Sequence, residues 1–300
     1  MRIRWDNEKG EGRYLDPKSP LHPQSAFPSC LPCCDGRREF GRVNGSLLRP
    51  TALRRPFPLG DCMLVIVPTV FEAVHLLGEG VREPLLADGV ARAGVGDSPP
   101  WTVATCGFGL ASSGIGALTA MLAHGAAIGG GALRRAVLVG ISGTFDTGRA
   151  PIGAAVVGTE AVCEGIGAGT GDGFVAASTM GWSQGHARSW LPACGDRAEL
   201  ATPDALRGLA AGPILSVAAA SGDVPHRNDR AARHPDAIVE EMEGYAVALA
   251  ARLCRVELTI IRGVSDLVGD RNPANWEVPR ALSAVRMALT TLAGDPAWQA

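Results

Sequence analysis

The chain reads as one α/β domain in which a mixed, twisted central sheet is flanked by helices. Three observations predict this. The 300 residues are 46% apolar, enough for a substantial core, while aromatics are only 5% and glycines number 39, which suits helices packed closely on a sheet. Short β-branched runs such as Leu258-Thr259-Ile260-Ile261 lack polar alternation, as strands buried on both faces do. Between such runs lie Ala- and Leu-rich segments of helical spacing, the order of layered α/β folds.

Residues 1–61 stand apart. They hold 11 of the 28 basic and 7 of the 30 acidic residues, are rich in Arg, Pro and Gly, and show little apolar periodicity. Such a segment cannot bury enough surface to offset its ordering entropy. The expectation is a disordered or non-native leader over 1–61 and a catalytic-type domain over 63–295. Within the leader, Cys30, Cys33 and Cys34 form a C-x-x-C-C cluster with no second pair at metal-binding spacing, so no metal is expected. Cys106, Cys163 and Cys254 lie in apolar or Gly-rich surroundings and read as small core residues. A net charge of −2 gives no reason to expect nucleic acid or a membrane surface as partner. No apolar run approaches the roughly 20 residues of a membrane span, and no signal peptide is evident, so a cytoplasmic location is expected.

Met63–Val67 reads as the first strand, followed by a turn at Pro68-Thr69 and a helical pattern at Val70, Val74 and Leu77 that places Glu72 in the first helical turn. Trp101–Cys106 is a strand, Gly107-Phe108-Gly109 a turn, and the Ala- and Leu-rich run to about Ile128 a helix. Ala136–Val139 is a strand leading into the glycine loop Gly140-Ile141-Ser142-Gly143-Thr144. Glycines after a strand let backbone N–H groups approach a ligand, although tight-turn packing explains them equally. Ile152–Val162 is a further strand, with Glu164 beyond it; the polar stretch from Gly167 to about Thr202 reads as a long loop with His186 on its surface. Pro213–Ala220 is a strand, and His226 and His234 fall in a polar connection expected to be solvated. Glu241-Met242-Glu243-Gly244 then opens the helix Tyr245–Leu253, so Glu243 sits near a helix N-terminus. The strand Leu258–Ile261 ends in Arg262-Gly263-Val264-Ser265-Asp266, which places Asp266 at a carboxyl end, where ligands bind in open α/β sheets.

The pairing of Glu241-Met242-Glu243-Gly244 with Arg262-Gly263-Val264-Ser265-Asp266 resembles the signature of the nucleoside phosphorylase and nucleosidase superfamily, which cleaves N-glycosidic bonds. Gly244 and the tail Val268-Gly269-Asp270-Arg271-Asn272 to Trp276 are most similar to the futalosine hydrolases of menaquinone biosynthesis. The resemblance covers roughly residues 63–290 and is weakest from Gly167 to Leu209. It implies a fold of the purine nucleoside phosphorylase type, no cofactor or metal, a small-molecule nucleoside substrate and a homo-oligomer. By the same resemblance Glu72 activates water, Asp266 is the general acid toward the departing base, and Glu243 grips the ribose with Met242 on the sugar face. Glu241, Ser265, Gly107, Ile141 and Gly143 join these as substrate-binding positions; Glu164 is expected to face the substrate, and Ser221-Gly222-Asp223 to lie beside the base.

Cleavage of a ribosyl bond passes through an oxocarbenium-like transition state, so acidic residues suit it. Phosphorylases of this superfamily hold phosphate with arginines in the loop after the first strand and just before the glycine loop; here Pro68–Glu72 contains none, and Leu138 stands two before Gly140. Water is therefore the expected nucleophile, and futalosine, yielding hypoxanthine and dehypoxanthine futalosine, the expected substrate. The ending Ser265-Asp266 is shared with adenine-releasing nucleosidases, which keeps that alternative open beside a non-catalytic nucleoside-binding protein.

Overall fold

The computed structural model describes residues 3–6, 11–14, 64–94, 101–126, 128–169, 171–182 and 195–299. Chain contacts separate Met1–Arg49 from Pro50–Ala300. In the first unit β1 (Ile3–Asp6) pairs antiparallel with β2 (Glu11–Tyr14). The leader expected over 1–61 thus contains a two-stranded ribbon; Cys30, Cys33, Cys34 and Met63, like His186 further on, lie outside the described residues.

The second unit runs β3 (Leu64–Val67), α1 (Val70–Leu77), α2 (Arg82–Asp88), β4 (Val90–Ala93), β5 (Trp101–Thr105), α3 (Leu110–Ala123), β6 (Arg135–Thr144) and β7 (Ala155–Cys163). It continues with β8 (Gly167–Ala168), β9 (Val175–Ala176), β10 (Arg197–Glu199), β11 (Ala210–Ser216), α4 (Val224–Arg233), β12 (Val239–Glu241), α5 (Gly244–Cys254), β13 (Glu257–Leu267), α6 (Val278–Ala293) and α7 (Pro296–Gln299). Among the described residues nine strands form one mixed sheet in the order β10-β7-β11-β12-β6-β3-β5-β4, with β13 paired to both β6 and β7. Because β12 also pairs β6, the strands β6, β13, β7, β11 and β12 close into a ring, and β3, β5 and β4 extend from it as an open sheet.

Strand periodicity builds two cores. Leu64 and Ile66 of β3 face one layer with Ala117, Met121, Val247 and Ala251 of α3 and α5; Val65 and Val67 face the other with Leu76, Val285 and Leu289 of α1 and α6. With both faces covered, the strand carries no polar residue, which is why its sequence reads as a continuous apolar run.

The expected elements are found with shifted ends. β6 and β13 run on through the segments expected to be loops: Gly140–Thr144 and Arg262–Asp266 are strand, because the ring supplies backbone partners in β12, β7 and one another. β11 stops at Ser216, four residues before the expected Ala220. The polar connection with His226 is a helix, α4, started by the Asp223 side chain, which accepts from His226 N at 2.9 Å, and by Pro225 in the first turn.

Candidate active site

Three carboxylates converge on one buried cation. The Arg262 side chain has no exposed surface, and its Nη2 donates to Glu241 Oε2 and, at 3.1 Å, to Glu243 Oε2. A guanidinium with no access to water needs such partners, since an uncompensated buried charge costs several kcal/mol. Its Nη1 and Nε have no partner among the described residues. Glu72 approaches the same group. A Cβ built on Gly140 would collide with Arg262 Nη1 and come within 2.8 Å of Glu72 Oε1, so only glycine leaves room for this meeting.

Glu72 is set by its helix start. Thr69 caps α1 by accepting from Glu72 N at 3.2 Å, and its hydroxyl donates to Glu72 Oε2 at 2.7 Å. Glu72 Oε1 accepts from Ile141 N at 3.1 Å, tying α1 to β6. Burial pushes the Glu72 pKa above the ordinary carboxylate range, against the opposing pull of Thr69 and Arg262. Glu243 stands at the N-cap position of α5, and its Oε1 accepts from Gly109 N at 3.0 Å, the residue after the Gly107-Phe108 turn. Burial raises the Glu243 pKa to about 7; Arg262 lowers it, while neighbouring Glu241 adds to the rise. The Cys106 thiol beside them is pushed up to about 12, first by burial, and stays protonated.

Glu241, expected at the ligand, turns inward instead. It takes the Ser216 hydroxyl, Glu243 N at 2.9 Å, Gly244 N at 2.8 Å and Arg262, with no exposed side-chain surface. These bonds saturate both oxygens at the N-terminus of α5, where the helix dipole favours an anion. Its role in the geometry is to hold Glu243 and Arg262. Met242 packs against the small cluster of Val162, Leu215, Val217 and Ala237.

Asp266 lies opposite Gly143 in the β13–β6 register, at an irregularity after Val264. A Cβ on Gly143 would come within 3.2 Å of Asp266 Oδ2, so this glycine also keeps a carboxylate close to β6. Ser265 Oγ donates to Asp266 Oδ1 at 2.6 Å. Burial raises the Asp266 pKa to about 6, and the Ser265 bond only partly offsets it. Glu72 touches β6 at Ile141 and Asp266 at Gly143, so both border the same strand end. Gly107, with φ +90, donates its N–H to Pro68 O at 3.0 Å and joins the two neighbouring turns.

Glu164, expected to face a substrate, is engaged elsewhere: it binds Arg233 Nη2 at 2.6 Å and His234 Nε2 at 2.6 Å. Burial pushes its pKa up, but these partners override that and hold it at about 2. His234 is accordingly part-buried rather than solvated. The signal for Arg262 in the sequence is a charge placed directly after the short β-branched run Leu258–Ile261. The Arg230–Glu240 ion pair, at 2.8 Å, had no such signal. Among the described residues no group of three or more His, Cys, Asp or Glu could hold a metal ion.

A family model, the phosphorylase superfamily, matches residues 102–294, which includes every site residue named above except Pro68, Thr69 and Glu72. A futalosine hydrolase of Streptomyces coelicolor is 32% identical over 192 residues, 62% of this chain and 79% of that protein. One from Acidothermus cellulolyticus is 35% identical over 158 residues, 52% of this chain and 63% of that protein. Among solved structures, a 5′-methylthioadenosine/S-adenosylhomocysteine nucleosidase from Colwellia psychrerythraea 34H, in complex with adenine, superposes with a TM-score of 0.56 at 17% identity, over 78% of this chain and 95% of that one. At that identity the likeness concerns the fold, and it agrees with the mixed sheet and flanking helices described above. The chain belongs to the phosphorylase superfamily, with the futalosine hydrolases among its relatives.

Proposed function

We propose that the protein hydrolyses the N-glycosidic bond of futalosine, giving hypoxanthine and dehypoxanthine futalosine. The observation that carries the choice of water over phosphate is the charge balance around Arg262: one cation faces Glu72, Glu241 and Glu243. A phosphate entering there would meet more negative than positive charge in a poorly screened interior. Water carries no charge to be repelled and would find Glu72 as its acceptor.

In this reading Glu72 takes the proton of the attacking water as positive charge grows on the ribose. Its raised pKa makes it a stronger base, and Arg262 favours its ionised form. Glu243, held at the N-terminus of α5, accepts from the ribose hydroxyls, and Met242 flanks the sugar. Asp266, partly protonated near neutral pH because burial lifts it to about 6, donates to the leaving base. The bond from C1′ to the purine nitrogen breaks, its electron pair stays with the base, and the water oxygen bonds to C1′.

A cytoplasmic homo-oligomer acting on a small molecule belongs to the same proposal. Phe108, Ile115 and Leu122, exposed along the entry and outer face of α3, support a self-association surface that sedimentation would detect. A second reading, release of adenine from aminodeoxyfutalosine or methylthioadenosine, is favoured by the carboxylic acid at position 266. Incubating the enzyme with all three nucleosides in phosphate-free buffer, and separating the bases by chromatography, decides between them. Hypoxanthine from futalosine is expected; turnover that appears only on adding phosphate would refute hydrolysis.

A further inference from the structure

On the far face of β12 from Glu241, a second buried ion pair holds a loop rather than a helix. Glu240 and Arg230 pair at 2.8 Å with side chains 5% and 8% exposed. Glu240 Oε1 accepts from Ser221 N at 2.7 Å and its Oε2 from Ser221 Oγ at 2.7 Å. Arg230 completes the fork: Nη1 donates to Ser221 Oγ at 2.9 Å and Nη2 to Ala219 O at 2.9 Å. The loop between β11 and α4 is thereby fixed at Ala219 and Ser221, and at Val217, whose N–H donates to Glu241 O at 2.8 Å.

Between these fixed points Ala218 and Ala219 are exposed, and the N–H groups of Ala218, Ala219 and Ala220 have no partner among the described residues. The same loop abuts the turn that follows Asp266. A Cβ on Gly269, whose φ is +85, would come within 2.5 Å of Asp223 O, so the two backbones touch. The Asp223 end of the loop therefore lies beside the turn that follows Asp266, and Glu240, which holds Ser221, is close enough to act on the Asp266 carboxyl. A purine presents hydrogen-bonding atoms along its edge, and a pre-set backbone edge reads them at little entropic cost.

We propose that Arg230 and Glu240 are positioning residues for base recognition: through Ser221 and the Ala219 carbonyl they fix the 217–223 loop in the conformation that reads the purine edge. This rests on the nucleosidase reading and deepens it. Neither residue touches the substrate, and both act through the loop.

The test compares wild type, Arg230→Lys and Ser221→Ala with futalosine and with its adenine counterpart, aminodeoxyfutalosine. A lysine keeps the charge but cannot hold Ala219 O, Ser221 Oγ and Glu240 together as a planar fork does. The expected result is a KM for futalosine raised about tenfold in Arg230→Lys, equivalent to about 1.4 kcal/mol of lost binding. Its kcat should stay within about twofold, and the preference between the two bases should shrink by a similar factor. Ser221→Ala should move KM and preference the same way by a smaller factor, and it carries the test if Arg230→Lys does not fold. Equal falls in kcat for both substrates with KM unchanged, or no change in either variant, would overturn the inference while leaving hydrolysis intact. Wild type inactive on both nucleosides would overturn the proposed futalosine hydrolysis and this inference with it.

Discussion

Replacing Asp266 by Asn alters two measurable quantities whose pH dependences share one origin. Burial raises the carboxyl from 3.8 to about 6, so the unfolded chain loses this proton first as pH rises. The protonated group is then favoured in the folded state, and the associated stability is fully present below about pH 4 and lost as pH passes about 6. A shift of about two units corresponds to about 3 kcal/mol. Asp266→Asn keeps an acceptor for Ser265 Oγ and removes the ionisation. It should therefore stabilise the protein by up to about 3 kcal/mol at pH 8 and by nothing at pH 4, measured by urea denaturation at both values. Activity should move the other way. With a pKa of about 6, about one tenth of the wild-type carboxyl is protonated at pH 7, and that fraction falls about tenfold for each further pH unit. Asn can hydrogen-bond the leaving base but cannot transfer a proton, so loss of general-acid catalysis should slow adenine release by about 10²- to 10⁴-fold. Hypoxanthine leaves more readily as an anion and should be affected less. The alkaline limb of the rate profile should flatten in the variant. Unchanged rates for both bases, or equal stabilities at pH 8, would refute the assignment of Asp266 as a buried acid.

Glu72→Gln should lower hydrolysis by about 10²-fold or more while leaving nucleoside affinity within a few-fold, because the amide can still accept from Ile141 N but cannot take a proton; single-turnover rates and equilibrium binding separate the two. Arg262→Met leaves Glu72, Glu241 and Glu243 without their cation and should cost about 3–5 kcal/mol at pH 8, partly recovered at pH 6 as raised carboxyls take up protons; denaturation at both pH values would show it. Gly140→Ala inserts a methyl group between Arg262 and Glu72, so kcat should fall about 10²-fold with the far-ultraviolet circular dichroism unchanged.

The central layers were legible because their signals are local. β3 and β5 begin or end within a residue of the expected positions, and α5 spans Gly244–Cys254 against an expected Tyr245–Leu253, since burial on both faces or one stripe leaves its period in the chain. The motif carboxylates were legible as a set for the same reason: residue type and spacing place Glu72 and Glu243 at helix starts and Asp266 at a strand end. How each is tied into the surrounding protein was not. Glu241 and Glu243 differ by two positions in the sequence, yet one saturates a helix terminus and the other keeps an oxygen for Gly109 and one for Arg262.

By itself the sequence determined the α/β class, the order of the main strands and helices, and the residue types that meet in the site. Only the tertiary structure decided that β6 and β13 continue through their glycines, because their backbone partners come from strands distant in the chain and pairing of that kind has no local signature. It also decided that Glu164 is spent on Arg233 and His234, and that Arg230 and Glu240 grip a loop. A charged residue reads the same in sequence whether it meets water, a partner or a ligand, and burial alone separates those outcomes.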